Sequence, residues 1–130
     1  MVSNSEILDV YADLISDLGF KITYNDINGT MSNVVGLYIR EAGSPLKGLS
    51  GDFKMYQVDI SLRIHGDTKD GSQRHCEEIL ETIRQRLEFS NRDYENFSIL
   101  GSSLRARGVM IGKTTSKIPV YNIAFLVKFI

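Results

Sequence analysis

Strict alternation of apolar and polar residues along residues 56–65 constrains the fold more than any other feature of the sequence. One set of alternate positions is apolar and comprises Tyr56, Val58, Ile60, Leu62 and Ile64. The intervening set is polar and comprises Gln57, Asp59, Ser61, Arg63 and His65. Because successive side chains of a β-strand point to opposite faces, the pattern predicts a strand with one face on a core and the other in water. In residues 121–129, aromatic and β-branched residues occupy every second position, which predicts a second strand with one buried face.

Two other segments place apolar residues three or four positions apart, the spacing of a helix with one buried face. The first helix is predicted at about residues 4–18, with Gly19 positioned to end it in a left-handed conformation. The second helix follows Gly71, and its apolar stripe comprises Cys76, Ile79, Leu80, Ile83 and Leu87. Cys76 is therefore interpreted as a core residue, since a free cysteine on such a stripe behaves as a small hydrophobe. Both helices can cover the same face of a sheet.

Shorter elements complete the predicted order. Further strands or apolar pieces are predicted at 20–24, 34–40, 97–100 and 109–111. Residues 41–52 are rich in Gly and Ser and predict a long mobile loop without regular structure. Residues 112–117 predict a turn or hairpin. The predicted fold is α+β: a mainly antiparallel, mixed β-sheet with two helices packed on one face, a long Gly-rich loop and a protruding hairpin.

Length and charge limit the classes of function. The 130 residues predict a single domain, 1–130, and 15 Lys and Arg against 16 Asp and Glu give a net charge of -1. Such a balance gives no overall attraction to nucleic acid or to an anionic membrane. One cysteine excludes a disulfide within the chain, and no window approaches the ~20 apolar residues of a membrane span. The start also lacks a signal-peptide pattern, so we expect no membrane partner and no export.

The sequence offers little for catalysis. Gly112-Lys113-Thr114 resembles the end of a phosphate-binding loop, but Arg107 stands where the first glycine of that motif is required. Two His and one Cys without paired spacing are too few for a zinc site. No nucleophile, base and orienting residue can be assigned together. We therefore expect no enzymatic activity, no cofactor, no metal and no small-molecule substrate.

Charge is segregated within the chain. Positive residues gather around the predicted hairpin, with no acid between Leu104 and Ile118, and comprise Arg105, Arg107, Lys113 and Lys117. Acidic residues start the second helix and comprise Glu77, Glu78 and Glu81. The basic hairpin is compatible with a solvated surface, with a protein contact or with nucleic acid, although no aromatic residue accompanies it for base stacking.

Two runs of the sequence resemble a known family. The run VGLYIREAGSP at 35–45, followed by YQVDISLR at 56–63, resembles the minor capsid or tail terminator proteins of long-tailed bacteriophages. In that family a strand leads into a loop with Gly-x-Pro, and a strand with Gln-Val and a later Arg precedes a helix. The order of the two helices and the last strand also agrees, and the resemblance covers most of the chain. Ser44-Pro45 stands where relatives often have two prolines.

The resemblance implies a structural protein of the virion, assembled in the cytoplasm of the host bacterium. Its copies would close into a ring, a hexamer, that caps the tail tube, ends tail polymerisation and joins the tail to the head. The implied partners are further copies of the chain, the tail tube protein and the head–tail connector proteins. The candidate contact residues are Arg105, Arg107, Lys113, Lys117, Glu77, Glu78, Glu81, Pro45 and Lys47. A neck or head-completion connector protein, and a small nucleic-acid-binding domain that uses the basic hairpin, stay open as alternatives.

Overall fold

The computed structural model of the chain describes residues 4–24, 27–41, 46–47, 54–66 and 73–130. Helix α1 spans Asn4–Ile15 and continues as one turn of 3₁₀-helix at Ser16–Leu18, and helix α2 spans Gln73–Leu87. The strands are β1 (Lys21–Thr23), β2 (Val34–Glu41), β3 (Leu46–Lys47), β4 (Lys54–His65), β5 (Arg92–Asp93), β6 (Ser98–Lys113) and β7 (Pro119–Phe129). The predicted α+β fold with two helices is confirmed.

The sheet is mixed and has the strand order β1-β2-β4-β7-β6-β5, with β3 paired to β4. All neighbours are antiparallel except β1 and β2, which are parallel. The two strands predicted from a two-residue period, β4 and β7, lie side by side in the middle, with Leu62 opposite Ile123 and Ile60 opposite Phe125. The strongest sequence patterns therefore form the centre of the sheet.

Both helices pack on one face of this sheet and form a single core with it. The core-facing residues of the helices include Ile7, Leu8, Tyr11 and Ile15 of α1 and Leu80, Ile83 and Leu87 of α2. Alternate residues of β4 and β7 meet them from the sheet, as the two-residue period requires. Gly19 has φ of 90° and ends the helical segment in the predicted left-handed conformation. Cys76 lies in α2, but its side chain is outside the described residues.

A buried chain of hydrogen bonds joins the two helices to β6. The Tyr11 hydroxyl donates to Ser102 Oγ at 2.6 Å, and Ser102 Oγ donates to the Leu87 carbonyl oxygen at 2.5 Å. Leu87 is the last residue of α2, so this bond satisfies a carbonyl that the helix itself leaves without a partner. Burial is the main reason that the pKa of Tyr11 is raised well above its usual value.

Strand β6 differs from the prediction. The sequence predicts separate short pieces at 97–100 and 109–111, whereas the structure has one strand of 16 residues. Its pairing with β7 shifts register at four places, between Ile99 and Gly101, Leu104 and Ala106, Ala106 and Val109, and Met110 and Gly112. Each such irregularity changes which side chains face the core, so the alternation that would reveal a strand is lost.

The predicted loop at 41–52 is in part a strand. β2 extends to Glu41, and the short strand β3 pairs with Lys54 and Met55 of β4. The Gly and Ser content of the segment argued against any regular element, but two residues beside an existing strand suffice to form a pair. Residues 42–45 and 48–53 lie outside the described residues.

Candidate interaction surface

The face of the sheet opposite the helices carries an open groove of about 560 Å³, which we call the outer groove. The floor of the groove is formed by residues that lie side by side across four strands. In this row, Ser61 pairs with both Tyr38 and Ala124, and Ala124 pairs with Ala106. The residues that line it are Tyr38, Arg40, Ser61, Leu62, Arg63, Ala106, Arg107, Val109, Ile111, Asn122, Ile123 and Ala124. Ser61, Ala106 and Ala124 are small and the residues around them are larger, which explains the concave shape.

The outer groove is positively charged. Arg40 of β2, Arg63 of β4 and Arg107 of β6 line it, and all three are exposed. The strand order brings these three arginines to one surface, although they lie far apart in the sequence. No carboxylate occurs among the described residues that line the groove. Such a surface attracts an anionic partner.

Arg105 contributes less to this charge than the sequence suggests. Its Nε lies 3.7 Å from Oδ1 of Asp59, which neighbours the groove on β4. That carboxylate oxygen is buried and has no hydrogen-bond partner among the described residues. The Arg105 guanidinium offsets part of the charge of Asp59, and the two residues meet where β6 changes register next to Leu104.

One end of the outer face is closed by residues 27–33. A side chain added at Gly36 would lie 2.9 Å from both Ile27 Cδ1 and Tyr38 Oη, so these two groups fill the space above the glycine. Farther along, Nδ1 of buried His65 lies 2.9 Å from the carbonyl oxygen of Met31. The histidine is thus part of the packing under this segment and does not face the groove.

The acidic residues at the start of α2 separate into two places. Glu77 and Glu81 line a cleft against β6 together with Arg107, whereas Glu78 lies on the other side of the helix beside Leu18. Glu81 forms an ion pair with Arg84 within the helix, at 2.5 Å. The hydrogen bond from Arg84 is the main reason that the pKa of Glu81 is lowered. The structure therefore brings two of the predicted acids close to one predicted base within a single chain.

The other candidate contact residues lie apart from the groove. Lys113 and Lys117 are exposed at the two ends of the turn between β6 and β7, where the Lys117 amide donates to the Thr114 carbonyl. Lys47 belongs to β3 and pairs through its backbone with Lys54, and Pro45 lies outside the described residues. Arg105 and Arg107 belong to the paired body of β6, whereas Lys113 and Lys117 lie at the turn that follows it.

Sequence reasoning missed Arg40, Arg63 and Tyr38 as members of a site. The available signal was the set of polar positions within residues 56–65. This set contains Arg63 and was interpreted only as a solvent-exposed face. It also missed the exposed acidic face of α1, which includes Asp9 and Asp13.

Asp9 on that helix accepts a hydrogen bond from the Tyr24 hydroxyl. Burial, then this hydrogen bond, raises the pKa of Tyr24 to about 12.

Comparison with known proteins identifies no family for this chain. No model of a known protein family matches the chain, and no curated protein sequence matches it either. Within the described ranges, no three or more His, Cys, Asp or Glu residues are grouped so as to hold a metal ion. Neither helix in those ranges combines the length and the apolar character needed to cross a bilayer.

Proposed function

We propose that the chain is a structural protein of a long-tailed bacteriophage, whose copies close into a hexameric ring that caps the tail tube. The ring ends tail polymerisation and provides the surface that joins the tail to the head. The protein acts by contact, without catalysis or cofactor, and its place is the tail and neck of the virion. The resemblance at 35–45 and 56–63 supports this proposal, together with the α+β fold.

The observation that carries the proposal is the outer edge of β6. One edge of β6 pairs with β7. On the other edge, the described pairings involve only the first part of β6: Ser98 and Ile99 pair with β5, and Ser102 pairs with Phe89. The following stretch carries large apolar side chains that are 37–50% exposed: Leu104, Val109 and Ile111. A long strand edge with exposed apolar side chains is costly to leave in water and is commonly covered by another chain.

A ring requires contacts in which one surface of a subunit meets a different surface of its neighbour. The register shifts of β6 twist and interrupt its edge, which disfavours indiscriminate pairing and suits a partner of defined shape. Lys113 and Lys117 lie at the end of the sheet, away from the groove, and we assign them to contact with the tail tube or the connector. Lys47 and Pro45 are assigned to the same contacts.

The test compares two substitutions of the same residue type. Ile111→Lys places a charge on the edge of β6, whereas Ile130→Lys changes an isoleucine that is also exposed, 40% against 50%, at the end of the chain. We expect the unmodified chain and Ile130→Lys to form rings in electron micrographs and in sedimentation, and Ile111→Lys to weaken assembly about tenfold or more. Monomers of the unmodified chain at every concentration, or equal assembly of both variants, would contradict the proposal.

Two measurements separate the alternatives. DNA binding that weakens steeply with salt, without ring formation, would favour the nucleic-acid-binding domain. A ring that binds the head connector but not the tail tube would favour a neck or head-completion protein.

A further inference from the structure

We infer that the outer groove binds the exposed acidic face of α1 from a second copy of the chain. This inference rests on the proposed ring and names the two surfaces that would meet in it. The groove supplies Arg40, Arg63 and Arg107. The helix supplies Glu6, Asp9 and Asp13, all exposed.

The acidic face is as one-sided in charge as the groove. Residues 4–20 contain four acids and no Lys or Arg. Glu6, Asp9 and Asp13 follow one another at three and four positions, so they share one side of the helix, opposite the buried Tyr11. The fourth acid, Asp17, is held by Arg86 of α2 at 2.6 Å and belongs to the contact between the two helices.

The two surfaces lie on opposite sides of the molecule. α1 packs on the face of the sheet that forms the core, and the groove is on the other face. They therefore cannot meet within one chain, and a contact between them joins each copy to the next in the head-to-tail manner that produces rings.

The spacing of the charges on the two surfaces also agrees. In the strand register, Arg40 of β2 lies opposite Asp59 of β4. Asp59 is four residues from Arg63 along β4, so the two arginines are separated by about 13 Å. Glu6 and Asp13 are seven residues apart on a helix, which corresponds to about 10 Å.

A protein partner accounts for the groove better than nucleic acid does. Val109 and Ile111 are about half exposed and line the same groove as the arginines, so a phosphate backbone would leave them in water. A helix can cover them while its carboxylates reach the guanidinium groups. The chain itself carries such a helix, and its net charge of -1 gives no general attraction to a polyanion.

The test uses charge reversal on each surface. The groove variant is Arg40→Glu with Arg63→Glu, and the helix variant is Asp9→Lys with Asp13→Lys. Either variant alone places like charges across every contact, so we expect assembly to weaken about tenfold or more. In an equal mixture, the unmodified acidic helix of the groove variant meets the unmodified groove of the helix variant, and Lys meets Glu at the next contact. The mixture should therefore restore rings in which the two variants alternate.

The matched control is Lys21→Glu with Lys128→Glu, which makes the same change in charge at two exposed lysines outside the groove and should leave assembly unchanged. Restored rings in the mixture also show that both variants are folded. Unchanged assembly of either variant alone, or a mixture that stays dissociated, overturns the inference. So does a groove variant whose only defect is loss of DNA binding. If the unmodified chain forms no ring, the proposed function itself fails, and that result is obtained before any variant is made.

Discussion

Replacing Ser102 with alanine should destabilise the protein because the hydroxyl serves two buried groups at once. It accepts a hydrogen bond from Tyr11 at 2.6 Å and donates one to the carbonyl oxygen of Leu87 at 2.5 Å. Tyr11 is 0% and Ser102 3% exposed, so water cannot replace the lost partner without a change in packing. A buried polar group left without a hydrogen-bond partner costs about 1–3 kcal/mol. Ser102→Ala leaves two such groups, the Tyr11 hydroxyl and the Leu87 carbonyl, so we expect it to lower the free energy of unfolding by about 2–4 kcal/mol.

Tyr11→Phe tests the same network from the other end. It removes the donor to Ser102 but leaves the bond to Leu87, so we expect a loss of about 1 kcal/mol. In the double variant the tyrosine hydroxyl is absent, and only the Leu87 carbonyl is left without its hydrogen-bond partner. The double variant should therefore lose less stability than the sum of the two single changes, by about 2–3 kcal/mol.

The measurement is urea unfolding at a protein concentration low enough that association does not add to stability. Ser103→Ala is the matched control, because this neighbouring serine is exposed and its loss should change stability by no more than about 0.5 kcal/mol. Equal effects of the two serine substitutions, or strictly additive effects of the Ser102 and Tyr11 changes, would refute the reasoning.

Three further predictions concern packing and ionisation. A side chain at Gly108 would approach Leu80 Cδ2 to 2.9 Å, so Gly108→Val should displace α2 and lower stability by about 1–3 kcal/mol in urea unfolding, and an unaffected variant would show that the leucine can move aside. The hydrogen bond from Arg86 lowers the pKa of Asp17, so this group's contribution to stability is present above its unfolded pKa and is lost as the pH falls through the folded value. The stability difference between the unmodified chain and Asp17→Asn should therefore shrink as the pH falls below about 4, and a difference independent of pH would contradict the assignment. The pKa of Tyr24 is raised to about 12, so its contribution is complete below about pH 10 and is lost as the pH rises through 12. Absorbance titration should show that Tyr24→Phe removes a late-ionising tyrosine, and loss of one that ionises near pH 10 would argue against the hydrogen bond.

The parts of the fold that could be predicted are those in which one period persists. α2 has a helical stripe and β7 a two-residue alternation, and both face a core on one side only, so burial selects the period. β6 lacks such a period because its register shifts four times against β7. The parallel pairing of β1 with β2 also leaves no local signal, since a strand of three residues carries no sequence feature that distinguishes parallel from antiparallel pairing.

The candidate site was harder to predict because its charges converge through strand order and not through sequence proximity. The hairpin hypothesis grouped Arg105 with Arg107 and the turn lysines, which are near in the chain. The structure pairs Arg105 with Asp59 instead and places Arg107 beside Arg40 and Arg63. Which strands are neighbours depends on long-range pairing, which the polar positions of a single strand do not encode.

The mass of the particle formed by the purified, unmodified chain tests the central claim most directly. Native mass spectrometry over a range of protein concentrations is the appropriate measurement, with electron micrographs of the same sample to show closure. We expect a closed ring of six 14.6 kDa chains, about 88 kDa in total. A particle that stays at the mass of one chain at every concentration, or an open filament, would contradict the proposal.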